Sequence, residues 1–167
     1  MNPTAIYQFL AKHHISYERY DHLPVYTCDE ANELCPEMPA NAVKTKNLFL
    51  RDKKGKRHFL VTVGDEKSVD LKALKNLLGL SKIGFASPER LQKHLGLEPG
   101  SVTILGVLND TNHAVEVIID KLVWQAADIR CHTLVNTSTL VISQQNICRF
   151  LELTGHVVQV LDVPARR

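Results

Sequence analysis

The chain has 167 residues, 44% of them hydrophobic, which favours one domain and is ample for a continuous core. Its net charge of only +2 and pI of about 8.3 exclude a polycation that coats nucleic acid, so any RNA it meets is gripped locally. No apolar run approaches the ~18 residues of a membrane span and no charged-then-apolar leader opens the chain, so a soluble, cytoplasmic protein is expected.

In chain order, Pro3 and Thr4 can open a helix with Ile6, Phe9 and Leu10 on one face, ending near His13-His14. Residues 15–22 read as a strand. Thr27 can cap a short helix over residues 28–34, which Pro36 and Pro39 terminate. The string Lys44-Thr45-Lys46-Asn47-Leu48-Phe49-Leu50 then introduces two lysines and an amide at the start of an otherwise apolar strand. The turn Lys53-Lys54-Gly55-Lys56 joins it to residues 59–63 as a hairpin. Adjacent strand residues face opposite sides, so Lys46 and Asn47 share one site only if the strand begins after Lys46; this is the arrangement expected.

Val69, Leu71, Leu74, Leu77 and Leu78 form a helical stripe closed by Gly79. Ser87-Pro88-Glu89-Arg90 is a strong helix start: a capping hydroxyl, proline in the first turn, then charge. That helix runs to Leu95-Gly96. Residues 101–108 and 114–119 are expected as strands, with Asn109-Asp110-Thr111-Asn112 turning between them. A short helix over residues 121–126 and strands over 129–134 and 139–142 follow. Ser143 caps a helix over residues 144–153, and Gly155 precedes a last strand over 157–161. Helices and strands intersperse without a regular βαβ alternation. The expected fold is a single α/β domain over residues 1–167, with a mixed, largely antiparallel central sheet flanked by helices.

The four cysteines, Cys28, Cys35, Cys131 and Cys148, form no C-x-x-C pair, and the histidines scatter over several elements, so no metal site is expected. Cys131 and His132 point to opposite faces of a strand and make a poor thiol–imidazole pair. No Gly-rich phosphate loop, G-x-S-x-G or H-E-x-x-H is present. Four segments remain that can converge: residues 44–47, the loop 64–67 with Asp65 and Glu66, the turn 106–112, and residues 130–139. The last carries His132, Asn136 and the hydroxyls of Thr133, Thr137, Ser138 and Thr139. On composition alone each has a structural reading: a hairpin tip kept soluble by lysines, an Asx turn, acids at a helix start, a hydrogen-bonded turn.

Together, the Thr-Lys-Asn-Leu-Phe-Leu string, Ser101-Val102-Thr103, Leu108-Asn109-Asp110-Thr111 and His132-Thr133-Leu134-Val135-Asn136-Thr137 resemble the prolyl-tRNA editing family, the YbaK-like aminoacyl-tRNA deacylases. The likeness spans nearly the whole chain and is strongest to the free-standing branch that clears alanine from tRNA(Pro). The resemblance implies a YbaK-like editing fold, hydrolysis of a mischarged aminoacyl ester without a cofactor, and the acceptor end of tRNA as partner. It puts Lys46 in the place of the family's essential lysine, Asn47 in that of its neighbouring amide and His132 in that of the active-site histidine. Leu108, Asn109, Asp110, Val135, Asn136 and Thr137 are the implied substrate-binding positions. The chain departs from the cysteine-clearing relatives, whose Gly-x-x-x-Pro loop is here Gly106-Val107-Leu108-Asn109-Asp110, and Thr133 stands where proline is expected. Backbone N–H groups near residues 108–110 are expected to receive an oxyanion, and Val43, Leu48, Leu108, Cys131 and Leu134 to wall a small amino-acid pocket. A synthetase or elongation factor presenting the substrate is the further partner considered; neither DNA nor a membrane is expected. Ser-, Thr- or Cys-tRNA substrates, a non-catalytic tRNA-binding module and a small-ester hydrolase are the competing readings.

Overall fold

The computed structural model describes residues 3–21, 42–132 and 137–166. Helix α1 (Pro3–Lys12) buries Ile6 and Leu10, as their spacing requires, and leads to strand β1 (Glu18–Asp21). The proposed helix over residues 28–34 lies outside the described residues. Strands β2 (Thr45–Asp52) and β3 (His58–Gly64) form the expected antiparallel hairpin, with Lys46 opposite Val63 and Asn47 opposite Thr62. Helix α2 (Leu71–Leu77) is capped by Asp70, whose carboxylate accepts the Ala73 N–H at 3.1 Å. Strand β4 (Ile83–Phe85) pairs with the far end of β2.

Helix α3 (Pro88–Leu95) has the expected ends, a Ser87 hydroxyl accepting from Arg90 N–H and Gly96 in the left-handed conformation at φ +65°. Residues 101–108 are not a strand. Thr103 caps a 3-10 helix, Ile104–Asn109, in which Ile104, Leu105, Gly106 and Val107 are all buried. A short continuous apolar run has no period by which to tell strand from helix, and packing decides. Gly106 lies so close to Leu97 that an added Cβ would stand 2.7 Å from Leu97 Cδ1.

Strand β5 (Val115–Asp120), helix α4 (Lys121–Trp124), β6 (Asp128–His132), β7 (Ser138–Ser143), helix α5 (Gln144–Thr154) and β8 (Val158–Leu161) complete the domain. The strands make two sheets. One is antiparallel, in the order β1-β7-β6; the other is mixed, in the order β4-β2-β3-β5-β8, with β3, β5 and β8 parallel. The larger sheet is apolar on both faces. Phe49, Leu60, Val117 and Ile119 meet α1, α5 and the smaller sheet, while Leu50, Phe59, Val61 and Ile118 meet Leu74 of α2. This double burial explains why β3 and β5 read as unbroken hydrophobic runs. A parallel bridge between Val43 and Ile129 stitches the sheets together just before β2. No helix among the described residues is long and apolar enough to cross a membrane.

Candidate active site

The sheets meet at the beginning of β2. Val43 N–H donates to Asp128 O at 2.9 Å, Arg130 N–H to Val43 O at 3.0 Å, and the Thr45 hydroxyl to Arg130 O at 2.7 Å. These bonds hold the strand carrying Lys46 beside the strand carrying His132. On the next residue, the Asn47 amide donates to Val102 O at 3.3 Å and its oxygen accepts from the Thr62 hydroxyl at 2.6 Å. The segment leading into the 3-10 helix is thereby fastened to the same stretch of β2. Asp65 N–H donates to Lys44 O at 3.0 Å, which brings in the loop 64–67.

The segments 44–47, 64–67 and 130–139 are thereby joined at β2, with Val102 rather than the turn 106–112 bonded to it, and they do not line one cavity. A cleft of about 730 Å³ opens between Val43, Lys44, Gly64–Lys67, Asp120 and Val123, and neither the 3-10 helix nor β6 contributes to it. Its floor is an ion pair. The Lys67 ammonium lies 3.0 Å from Asp120 Oδ2 and donates to Val163 O at 2.8 Å; Asp120 is 1% exposed and Lys67 15%. Sequence reasoning noticed Lys67 and missed Asp120, because a partner 53 positions away leaves no local pattern.

Strand β2 begins at Thr45, so the expected arrangement, with the strand starting after Lys46, is corrected. Polar residues there do not delay pairing, because Thr45, Lys46 and Asn47 all find places in the ladder with β3. Lys46 falls in register with Leu48 and Leu50 on one face and Asn47 with Phe49 on the other. Asn47 is consequently a positioning residue, its amide given to Thr62 and Val102. Lys46 is half-buried, and among the described residues its ammonium has no hydrogen bond or ion pair. A lysine held this way, stem against the sheet and head without a protein partner, is available to an anionic ligand.

His132 ends β6 and pairs with Thr139 in a regular antiparallel register, adjacent to Cys131 opposite Leu140. Cys131 is buried, and burial pushes its thiol up to about 12, so it carries no thiolate near neutrality. Val135, Asn136 and Leu134 lie outside the described residues; Thr137 is exposed in the turn just before β7.

Residues 108–110 are engaged in holding the fold. The Asn109 amide donates to Leu95 O at 2.6 Å, and Leu108 is half-buried against the core. Buried Asp110 accepts from Ala114 N–H at 3.0 Å and Val115 N–H at 2.8 Å, and lies 2.9 Å from His156 Nε2. The Asp110 N–H, expected to face an oxyanion, donates instead to Val107 O at 3.0 Å.

Among the described residues no three His, Cys, Asp or Glu side chains gather as a metal site. The arrangement offers a lone lysine charge on a rigid strand beside a histidine-bearing strand, which suits electrostatic stabilisation of an anionic substrate or transition state.

Comparison with known proteins shows which family the chain resembles. The family model for the aminoacyl-tRNA editing domain matches residues 22–150, which include Lys46, Asn47 and His132. The prolyl-tRNA editing protein ProX of Acetoanaerobium sticklandii is 37% identical over 149 residues, covering 89% of this chain and 90% of that protein. The prolyl-tRNA synthetase associated domain-containing protein 1 of Danio rerio is 32% identical, covering 93% of this chain and 84% of its own length. A crystal structure described as that of a candidate trans-editing enzyme for prolyl tRNA synthetase shares the fold, with a TM-score of 0.72 at 19% identity over 99% of both chains.

Proposed function

The chain belongs to the aminoacyl-tRNA editing domain family, and from that premise we propose that it is a deacylase acting in trans on mischarged tRNA(Pro), removing alanine. The observation that carries the reading is Lys46: a half-buried ammonium, unpaired among the described residues, on the strand that the family model spans.

The substrate is an ester between an amino acid and the terminal ribose of tRNA. A water oxygen adds to the ester carbonyl carbon, the carbonyl oxygen becomes an oxyanion, and the C–O bond to ribose then breaks. The proton lost by water ends on the ribose oxygen, which leaves free alanine and intact tRNA. An ester of this kind is reactive already, so orientation and charge stabilisation supply most of the help it needs. Lys46 holds the terminal phosphate or the developing oxyanion. Asn47 keeps β2 flush with β3 and Val102, so that the lysine starts from a fixed base. His132 on the adjoining strand positions water or the amino-acid end of the substrate.

Alanine over proline is a question of size. Adding or removing a methylene in a roomy pocket changes binding by only ~1–3 kcal/mol, whereas a pocket too small for a pyrrolidine ring excludes it by overlap. Leu48, half-buried and in register with Lys46 on the same face of β2, is a described side chain that can form part of such a wall. Deacylation time courses with Ala-tRNA(Pro) and Pro-tRNA(Pro) test the proposal. Native protein releases alanine and spares proline, and Lys46→Ala loses at least ~100-fold in kcat with an unchanged thermal midpoint. Equal rates for native protein and Lys46→Ala would overturn the mechanism; release of serine, threonine or cysteine in place of alanine would overturn the substrate.

A further inference from the structure

The charge of this chain is unevenly placed. Residues 51–93 hold eleven of the 20 Lys and Arg but only five of the 18 Asp and Glu, so this quarter of the sequence carries +6 and the remainder −4. In the fold the excess collects where the β2–β3 hairpin tip meets edge strand β4. Lys53, Lys54, Lys56 and Lys82 are exposed there, and none has an ion-pair partner among the described residues. Arg57 is different: its guanidinium makes two bonds to Glu116, at 2.8 and 2.9 Å. The acid inside the patch, Asp52, is engaged by the backbone of its own hairpin turn. Asp52 accepts the Arg57 and Lys56 N–H groups, and these bonds hold its carboxyl below the ordinary range.

A notch of about 100 Å³ lies in this surface, edged by Arg51, Asp52, Lys53, Lys82, Ile83, Gly84 and Phe85, so three cations outnumber its one carboxylate. Phe85 is 63% exposed on an edge strand, and the space above Gly84 is open. An aromatic ring left in water beside unpaired cations costs solubility as a mere edge and matches the way RNA backbones are held, phosphates on lysine and arginine with a sugar or base on the ring. Lys46 and Asp52 stand six residues apart on β2, roughly 20 Å. A molecule whose ester lies at Lys46 reaches the notch only if it is long and anionic.

We propose that this face, the notch between Arg51, Lys53 and Lys82 with Phe85 beside it, holds the sugar-phosphate backbone of the tRNA acceptor arm. The identity of the RNA rests on the editing reading; the surface itself does not. A second copy of this chain adding to the free edge of β4 is the competing occupant.

Steady-state deacylation of Ala-tRNA(Pro) at several salt concentrations, run beside the alanine ester of adenosine, tests the assignment. The Lys53→Gln/Lys82→Gln pair raises KM for the tRNA about tenfold, leaves kcat unchanged, and lowers the salt slope of binding by about 2. Phe85→Ala raises KM several-fold. Neither variant alters hydrolysis of the adenosine ester, which lacks the arm. A KM and salt slope identical to those of native protein in both variants would overturn the proposal, as would a native dimer that Phe85→Ala converts to monomer with tRNA KM unchanged. Should native protein hydrolyse neither ester yet bind uncharged tRNA(Pro) with a salt slope that the lysine pair removes, the docking surface stands and the editing reading falls.

Discussion

Asp110 and Lys46 are both charged residues set into the body of the domain, and they are treated in opposite ways. Asp110 is buried and surrounded by donors: two backbone N–H groups and the His156 ring face its carboxylate. Lys46 is half-buried, sits in an ordinary strand register, and makes no hydrogen bond or ion pair among the described residues. The resemblance placed both in the site. What separates them is whether the fold already occupies the group, since a polar group with every valence filled is structural and one left open is available to a ligand.

The sharpest way to break this comparison is Asp110→Ala. It leaves three donors facing a void and costs about 3 kcal/mol of stability, read as a lowered urea midpoint. The surviving folded fraction should keep its specific activity, whereas Lys46→Ala keeps its fold and loses turnover. If Asp110→Ala instead folds normally and fails to deacylate, the contrast is wrong and the carboxylate belongs to the chemistry.

A smaller effect comes from a third buried ionisable group, His58. It stacks on Phe49 at 5.7 Å and has His94 at 4.2 Å between ring centroids; its Nε2 lies 3.1 Å from Arg90 Nη1, whose own partner is Gly55 O. Burial, then the neighbouring His94 and Arg90, lower its pKa to about 4. The unfolded chain binds this proton more readily than the folded one. The stabilising contribution is thus complete above the ordinary value near 6.5 and is lost as pH falls toward 4. The expected loss is on the order of 2 kcal/mol. Denaturant titrations at pH 7 and pH 4.5 should show a larger drop for native protein than for His58→Gln. Equal drops would mean that other groups carry the acid sensitivity.

The smallest effect belongs to a single filled valence at the surface. Ser87→Ala removes the cap on Arg90 N–H at 3.2 Å and should lower stability by about 1 kcal/mol without touching activity. A loss as large as that of Asp110→Ala would show that burial matters less than the comparison requires.

Local features proved readable from sequence. Ser87-Pro88 with Gly96, Ser143 with Gly155 and the lysine turn between β2 and β3 all behave as their residue types dictate, because each acts within four positions of itself. Lys46 was legible for the same reason: a charge among strand formers stands out. Residues 101–108 misled, since an apolar run on its own fits a strand as well as a buried 3-10 helix, and it was Leu97 beneath Gly106 that chose. The bonds that assemble the site were invisible. Thr62 with Asn47, Arg130 with Thr45 and Asp120 with Lys67 join residues 15, 85 and 53 positions apart, and no single chain displays such pairings before it folds. The division into two sheets, and with it the seam between the strand of Lys46 and the strand of His132, goes with those long-range bonds.

The burial of Cys131 reaches beyond packing. Peroxides and alkylating agents attack the thiolate, and burial both disfavours that form of Cys131 and shields it from them. The β6 strand therefore carries no exposed thiol.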